Sequence, residues 1–328
     1  MSFLRLQRCR PAILTATVYR LTTVSLLMTV CLLVGLAAPD ARSIAAAGTG
    51  NGEVVTLEQR CQRLTWCTPS FWAWELRLAT HQNEPTSARN LATKLVRLQQ
   101  ADGKWGLGTD WGRTSYDFKH RTSQDAESWE VAEVALALLA HAETTPFPRA
   151  AEKARASALL AAKYLKRHVV RLNGRPYLGH MPECNYRLQP HSTIAAAALL
   201  ATYPRFQQLA DQLRSSGKRM KSLRIVPAEG QRSLKNWRWG PPINDYERVQ
   251  VGWYLDMMGD PAGQRTLRRY ERAVTWDFYR GPAYLAMVAA LAGRPRVAQR
   301  LARADNFSPL RGYDVALADW SDYLLATR

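Results

Sequence analysis

The chain has 328 residues, with 45 Lys and Arg against 27 Asp and Glu, a net charge of +18, and 47% hydrophobic residues that include eleven Trp. That apolar fraction, with only five Cys, excludes a disordered chain, a collagen-like repeat and a disulfide scaffold. The length suffices for one large helical domain or two small ones.

The first 47 residues are expected to lie outside the fold. Residues 1–20 carry four Arg and no acid, residues 21–38 carry no charge, and small residues follow, the pattern of an export signal cleaved near Ala38 or Ala47. The uncharged run also approaches the roughly 17–25 residues that cross a bilayer, so an uncleaved single-pass inner-membrane anchor is the alternative. Cys31 follows Val30, where a lipoprotein signal requires a small residue, which argues against lipidation. The expected destination is the periplasm or the exterior. Setting aside the five Arg and Asp40 of this segment leaves 40 basic and 26 acidic residues, a balance of +14. Such a field favours an anionic partner: acidic polysaccharide, anionic lipid headgroups or nucleic acid. Cys61 and Cys67 form a C-x5-C pair able to join in an oxidising compartment, leaving Cys184 single. Neither C-x-x-C nor H-E-x-x-H occurs, so no metal site is expected.

From there to the C-terminus the pattern predicts helices of two alternating kinds. Residues 86–100, 147–168, 205–216, 262–275 and 295–304 place Lys or Arg on one side and Leu, Ala or Val on the other, as solvent-facing helices do. Residues 132–140, 193–203 and 282–293 are apolar nearly all round and must be buried. Residues 70–81 and 244–258 are aromatic-rich versions of the buried kind, and 313–326 is a weaker sixth member interrupted by Asp314, Asp319 and Asp322. Links from buried to exposed helices are short and carry Pro85, Pro146, Pro148, Pro204, Pro261 or Pro295, the residue favoured at a helix start. Links the other way are long and rich in Gly, Trp, Tyr and charge: 101–123, 169–190 and 217–243, with shorter ones at 276–280 and 305–312. Loops elaborated on one face usually carry function.

This order predicts an all-α fold over 48–328, a single α/α barrel (toroid) of about six inner and five to six outer helices. A solenoid of stacked helix pairs would share the alternation but calls for a more even repeat. Inner starts near 70, 124, 191, 244, 281 and 313 are uneven, which favours the barrel.

Gln100, Gly103 and Trp105, within the run LVRLQQADGKWG, form a Q-x-x-G-x-W element that resembles the one repeated in squalene cyclases and other terpenoid-cyclase or prenyltransferase toroids. The resemblance covers about twelve residues and departs from the family at Leu95, where an aromatic is usual. It implies that the Gln closes an outer helix, the Gly turns the chain and the Trp stacks back on the barrel. Weaker echoes stand at Asn173–Tyr177 and around Trp237 and Trp239. The acidic D-x-D-D and D-D-x-x-D runs that carry terpenoid chemistry in that family are absent from this sequence, which removes the reaction without removing the fold. Glu183, Cys184 and His191 offer the residue types of a prenyltransferase zinc site, but the export signal argues against that cytosolic chemistry. At fold level the chain is also similar to α/α-barrel polysaccharide lyases and six-hairpin glycosidases.

If the inner helices begin at the decorated face, their first turns share a cavity. The candidates there are Gln124, Asp125, Ser128, His191, Ser192, Asn244, Asp245, Tyr246, Asp277, Tyr279 and Arg280. For each Asp a helix cap is the competing role, and for any single one the favoured role. A lyase acting on uronic acids needs Asn or Arg to neutralise a carboxylate, His or Tyr as base and Tyr as acid. The runs Asn185–His191 and Asp245–Arg248 hold all these types. A hydrolase needs two opposed carboxylates, for which Asp125, Asp245 and Asp277 are the candidates. The predicted catalytic set is therefore His191, Tyr246, Asp245, Asp125 and Arg280. Trp105, Trp111, Asn185, Trp237, Trp239, Arg248, Asp277 and Tyr279 are the predicted substrate contacts. The Trp residues either stack on sugar rings or plug the barrel end, and His191 either reaches the cavity or is a packed core imidazole.

The function expected is cleavage of an anionic polysaccharide by an exported lyase or glycoside hydrolase without a cofactor. The alternative is a non-catalytic envelope binding or scaffolding protein. No helix-turn-helix or RNA-binding motif points to a specific nucleic acid.

Overall fold

The computed structural model describes residues 68–106, 126–181, 187–220, 223–225, 237–239, 243–273, 281–304 and 315–327, all within one compact unit, Leu57–Arg328. Among the described residues, six helices form an inner ring: α1 (Pro69–His81), α3 (Ser128–Thr144), α5 (Pro190–Ala201), α7 (Asp245–Met257), α9 (Gly281–Leu291) and α11 (Val315–Ala326). Five alternate with them as an outer layer: α2 (Pro85–Leu98), α4 (Pro148–Arg167), α6 (Gln207–Arg219), α8 (Pro261–Glu271) and α10 (Pro295–Ala304). Each inner helix packs on the next, and α11 packs back on α1, so the ring closes. That closure makes the chain an α/α barrel and excludes the open solenoid.

Burial separates the two layers as the periodicity demands. Along α9, Gly281 to Ala290 are all buried, and in α5 so are Pro190 to Leu200. In α10 only Ala298, Leu301 and Ala302 are buried, at the i, i+3, i+4 spacing of one stripe. Small residues set how closely the layers approach. A Cβ on Gly263 of α8 would stand 2.3 Å from the Asp256 backbone nitrogen of α7, so no larger residue fits without parting the pair. Proline opens α2, α4, α8 and α10, where its missing N–H costs nothing. Among the described residues, no helix is long and apolar enough to cross a membrane. Residues 21–38, the predicted export segment or anchor, lie outside the described residues, as do Cys61, Cys67 and Cys184.

Two long links are not plain loops. Strands β1 (Val170–Leu172) and β2 (Arg175–Tyr177) form an antiparallel hairpin whose two-residue turn places Asn173 at φ 50° and Gly174 at φ 76°. This is the Asn-Gly hairpin signal, so the echo seen at Asn173–Tyr177 marks a turn between strands. Strands β3 (Arg187–Leu188), β4 (Leu223–Ile225) and β5 (Trp237–Trp239) form a second antiparallel sheet in that order.

The Q-x-x-G-x-W run makes a tight turn after α2. Gly103 N–H donates to Gln100 O (2.9 Å) and Gln100 N–H to Lys104 O (2.9 Å). Gln99, the neighbour of the motif residue, ties the turn to α4: its Nε2 donates to Ser157 O (2.9 Å) and its Oε1 accepts from Ser157 Oγ (2.6 Å). Gly103 sits at φ 105°, and an added Cβ would lie 2.5 Å from Leu160 O. Strained φ and backbone overlap act together, so Gly103→Ala is expected to cost about 2–4 kcal/mol, read as a lowered thermal midpoint.

The barrel axis is filled, and partly by polar groups. Arg77 Nε of α1 donates to Glu133 Oε1 of α3 at 2.7 Å, and Tyr254 OH of α7 donates to Glu133 Oε2 at 2.7 Å. Tyr284 of α9 packs edge-on against Trp74 and Tyr246. Burial, reinforced by the Glu133 carboxylate, pushes the Tyr254 and Tyr284 phenols well above their ordinary range. Burial also pushes Tyr203 up to about 12. Above the ordinary tyrosine pKa of about 10 the unfolded chain sheds these protons while the folded chain keeps them. The slope of stability with pH is then negative. The expected result is a denaturation midpoint insensitive to these groups below about pH 10 that falls between about pH 10 and 12, measured by urea titration across that range.

Candidate functional site

The starts of α3, α5 and α7 bring two glutamates and two histidines together. Glu127 immediately precedes α3. Its Oε2 accepts from Trp129 Nε1 (2.5 Å), and its Oε1 lies 3.2 Å from His180 Nε2. His180 is held by its own backbone, since its carbonyl accepts from Ser128 N–H (2.8 Å) and the preceding Gly179 carbonyl accepts from Ser128 Oγ (2.6 Å). A bridge from Gly179 to Leu188 then docks this segment beside the strand that enters α5.

His191, the second residue of α5, is only 1% exposed and sits with Nδ1 3.8 Å from Glu247 Oε1. Its ring centroid is 5.7 Å from that of His180 and 6.5 Å from Trp129. Glu247 is fixed by a capping box at the start of α7: Asn244 Oδ1 accepts from Glu247 N–H (2.9 Å), and Glu247 Oε2 accepts from Asn244 N–H (2.9 Å). The box satisfies two otherwise orphaned backbone donors and leaves Glu247 Oε1 for the site, where Gln189 Nε2 also reaches it at 3.5 Å. Tyr246 packs edge-on to Trp129 at 6.2 Å and accepts a hydrogen bond from Gln250 Nε2 (3.2 Å). The result is a sequence of groups, Glu127, His180, His191 and Glu247, with an indole and a phenol alongside. Side-chain exposures of 13% for His180 and 15% for Glu247 show that solvent reaches its edge. Chemically it sets two imidazoles beside two carboxylates, the residue types of general acid–base chemistry, with His191 Nδ1 and Glu247 Oε1 close but beyond hydrogen-bonding distance of each other.

Of the predicted residues, His191 and Tyr246 are in this cluster. Asp245 is not. It pairs with Arg248 one turn along the same helix (3.3 Å), and Arg248 Nη1 also contacts the Tyr270 hydroxyl of α8 (3.3 Å). Asp245 and Arg248 therefore face the outer layer, because positions three apart share a helix face. Glu247, two residues on, stands in the place predicted for the Asp245 carboxylate. Trp105 is also corrected: it is 1% exposed, lies in the core and donates its Nε1 to Leu95 O (2.7 Å), so it has no face for a sugar. Asp125, Trp111, Asn185, Asp277, Tyr279 and Arg280 lie outside the described residues, as do Gln124, Glu183 and the side chains of Trp237 and Trp239.

Glu127, Trp129, His180 and Glu247 were not singled out by the sequence. Asn244-x-x-Glu247 is a readable capping box, and it could have located that carboxylate. His180 sits in a long link with no periodic signal around it. Among the described residues, no group of three or more His, Cys, Asp and Glu is placed to hold a metal ion.

No protein-family model matches the sequence, and no curated protein matches it. Among solved structures, endoglucanase Cel10, a family 8 glycosyl hydrolase from Klebsiella pneumoniae, is similar at a TM-score of 0.48 and 14% identity, covering 78% of this chain and 90% of that one. No residue role passes from that enzyme to this chain at such a distance.

Proposed function

We propose that the chain is an exported enzyme that cleaves an anionic polysaccharide at the end of the barrel where α3, α5 and α7 begin. The observation that carries this reading is the pair of facing carboxylate–imidazole couples, Glu127 with His180 and His191 with Glu247, whose rings stand 5.7 Å apart. In β-elimination one imidazole removes the proton next to the uronate carboxyl, and a second group, the other imidazole or Tyr246, protonates the leaving oxygen. In hydrolysis one of Glu127 and Glu247 gives its proton to the leaving oxygen while the other takes a proton from the attacking water. The positive balance of the chain beyond Ala47 favours association with an acidic polymer.

A second reading has its own support. Arg77, Glu133, Tyr254 and Tyr284 fill the barrel axis and His191 is almost fully covered, as suits a scaffold that binds an envelope polymer without cleaving it. One screen separates the two: alginate, pectate, glycosaminoglycans and neutral glycans, followed by absorbance of unsaturated ends and by reducing ends. The enzymatic reading expects product from an acidic polymer. Salt-sensitive, saturable binding with no product from any polymer would replace it with the scaffold.

A further inference from the structure

The outer wall carries a second concentration of charge. Lys163, Lys166 and Arg167, at the i, i+3, i+4 spacing of one helix face, occupy the last turns of α4 and meet Arg205 and Phe206 of the 3₁₀ turn Pro204–Phe206. These five residues line a surface cavity of about 440 Å³. The four cations are exposed and the phenyl ring is buried. No acidic side chain lines the cavity, and among the described residues none of the four cations pairs with a carboxylate.

Three of the cations are already oriented. Lys166 Nζ sits 5.2 Å and the Arg205 guanidinium 4.8 Å from the Phe206 ring centroid, contacts that attract a cation to the ring face. Arg167 Nη2 donates to Asp102 O at 2.6 Å, which fixes its guanidinium plane. Side chains held this way lose less freedom when a ligand arrives. Like charges gathered without a counter-charge repel, and an anion that touches several of them removes that repulsion. A singly charged uronate answers one cation. A phosphate group answers two and presents acceptor oxygens in the geometry that guanidinium forks match.

We propose that this cavity is a binding site for a phosphate-bearing ligand, the phosphate of a soluble sugar or of a lipid headgroup, on the outer wall and separate from the barrel-end site. None of its residues belongs to the Glu127–His180–His191–Glu247 cluster, so it stands or falls apart from the cleavage reading.

The test is calorimetric titration of inorganic pyrophosphate into the full folded chain at low ionic strength. Saturable binding is expected, weakened roughly ten-fold or more in K166A/R205A and changed by less than about two-fold in R296A/R303A, a pair of exposed arginines on α10. Circular dichroism of each variant checks that the fold is retained. Two further arms separate the sources: glucose 1-phosphate competing with pyrophosphate identifies a soluble phosphate, and binding only to phosphatidic acid vesicles, with phosphatidylcholine as blank, identifies a headgroup. Absence of saturation by any of these probes overturns the site. So does equal weakening in both double variants, which reduces the effect to net charge, and so does galacturonate competing as well as phosphate.

Discussion

Replacing Glu133 by Ala is expected to lower stability by about 3–5 kcal/mol, the cost of stranding a buried cation. For a chain of this size that is a fall in thermal midpoint of roughly 4–9 °C. Glu133 is fully buried and its two oxygens are shared between Arg77 Nε and Tyr254 OH, groups that come from opposite parts of the inner ring. Without the carboxylate, Arg77, itself only 5% exposed, keeps its charge with no partner in the barrel axis. Glu133→Gln retains one acceptor for these donors but not the charge, and falls between wild type and Glu133→Ala. The double replacement Arg77→Met with Glu133→Leu removes both charges while keeping bulk. It is expected to recover most of the loss, because an ion pair in the interior contributes little net stability over a well-packed apolar pair. Thermal melts of the four proteins decide the matter. If Glu133→Ala melts within about 2 °C of wild type, the axis does not depend on this charge.

The two-layer fold was visible in the sequence because it depends on a periodic property, burial around each helix. Runs such as Thr193 to Leu200 admit no solvent-facing side, whereas Pro295 to Ala304 leave only one apolar stripe. The charges along the axis were not visible. Arg77 and Glu133 stand 56 positions apart in otherwise buried helices, and nothing local shows that each is answered by the other. Of the candidates at the inner-helix starts, the fold brings His191 and Tyr246 together and turns Asp245 away. His191 and Tyr246 follow from being at inner-helix starts, but the choice of Asp245 over Glu247 turned on helix phase. A rotation of 100° per residue turns Asp245 toward Tyr270 in the outer layer and Glu247 toward His191. The hairpin at Asn173–Gly174 was missed for the reason that its strands are three residues each, too short to show alternation. For Trp105 a role as sugar platform stood beside packing back on the barrel, and burial decides for the second. Its hydrogen bond to Leu95 O makes it the closure of α2.

If the barrel end cleaves an acidic polysaccharide as proposed, His191→Ala is expected to reduce kcat/KM by roughly 100-fold or more, with helix content unchanged. The imidazole is enclosed by Trp129, His180 and Glu247, so its removal takes away a proton carrier without touching a cap or a helix hydrogen bond. Glu247 needs a finer tool, because it serves both the site and the start of α7. Glu247→Gln keeps an oxygen for Asn244 N–H, and Gln is an accepted partner in a capping box. Stability should therefore change by less than about 1 kcal/mol, while activity falls as far as in His191→Ala. Asn244→Ala does the reverse: it loses the acceptor for Glu247 N–H, costs about 1 kcal/mol and leaves the carboxylate in place. Activity that follows the charge in Glu247→Gln and not the cap in Asn244→Ala identifies Glu247 as the partner of His191. Glu127→Gln completes the set, since its amide oxygen still accepts from Trp129 Nε1 while the charge facing His180 is gone. If Glu127→Gln and Glu247→Gln each reduce turnover and shift opposite limbs of the pH profile, the two couples act as acid and base. If all three site variants turn over at the wild-type rate, the barrel end is structural and the chemistry lies elsewhere in the chain.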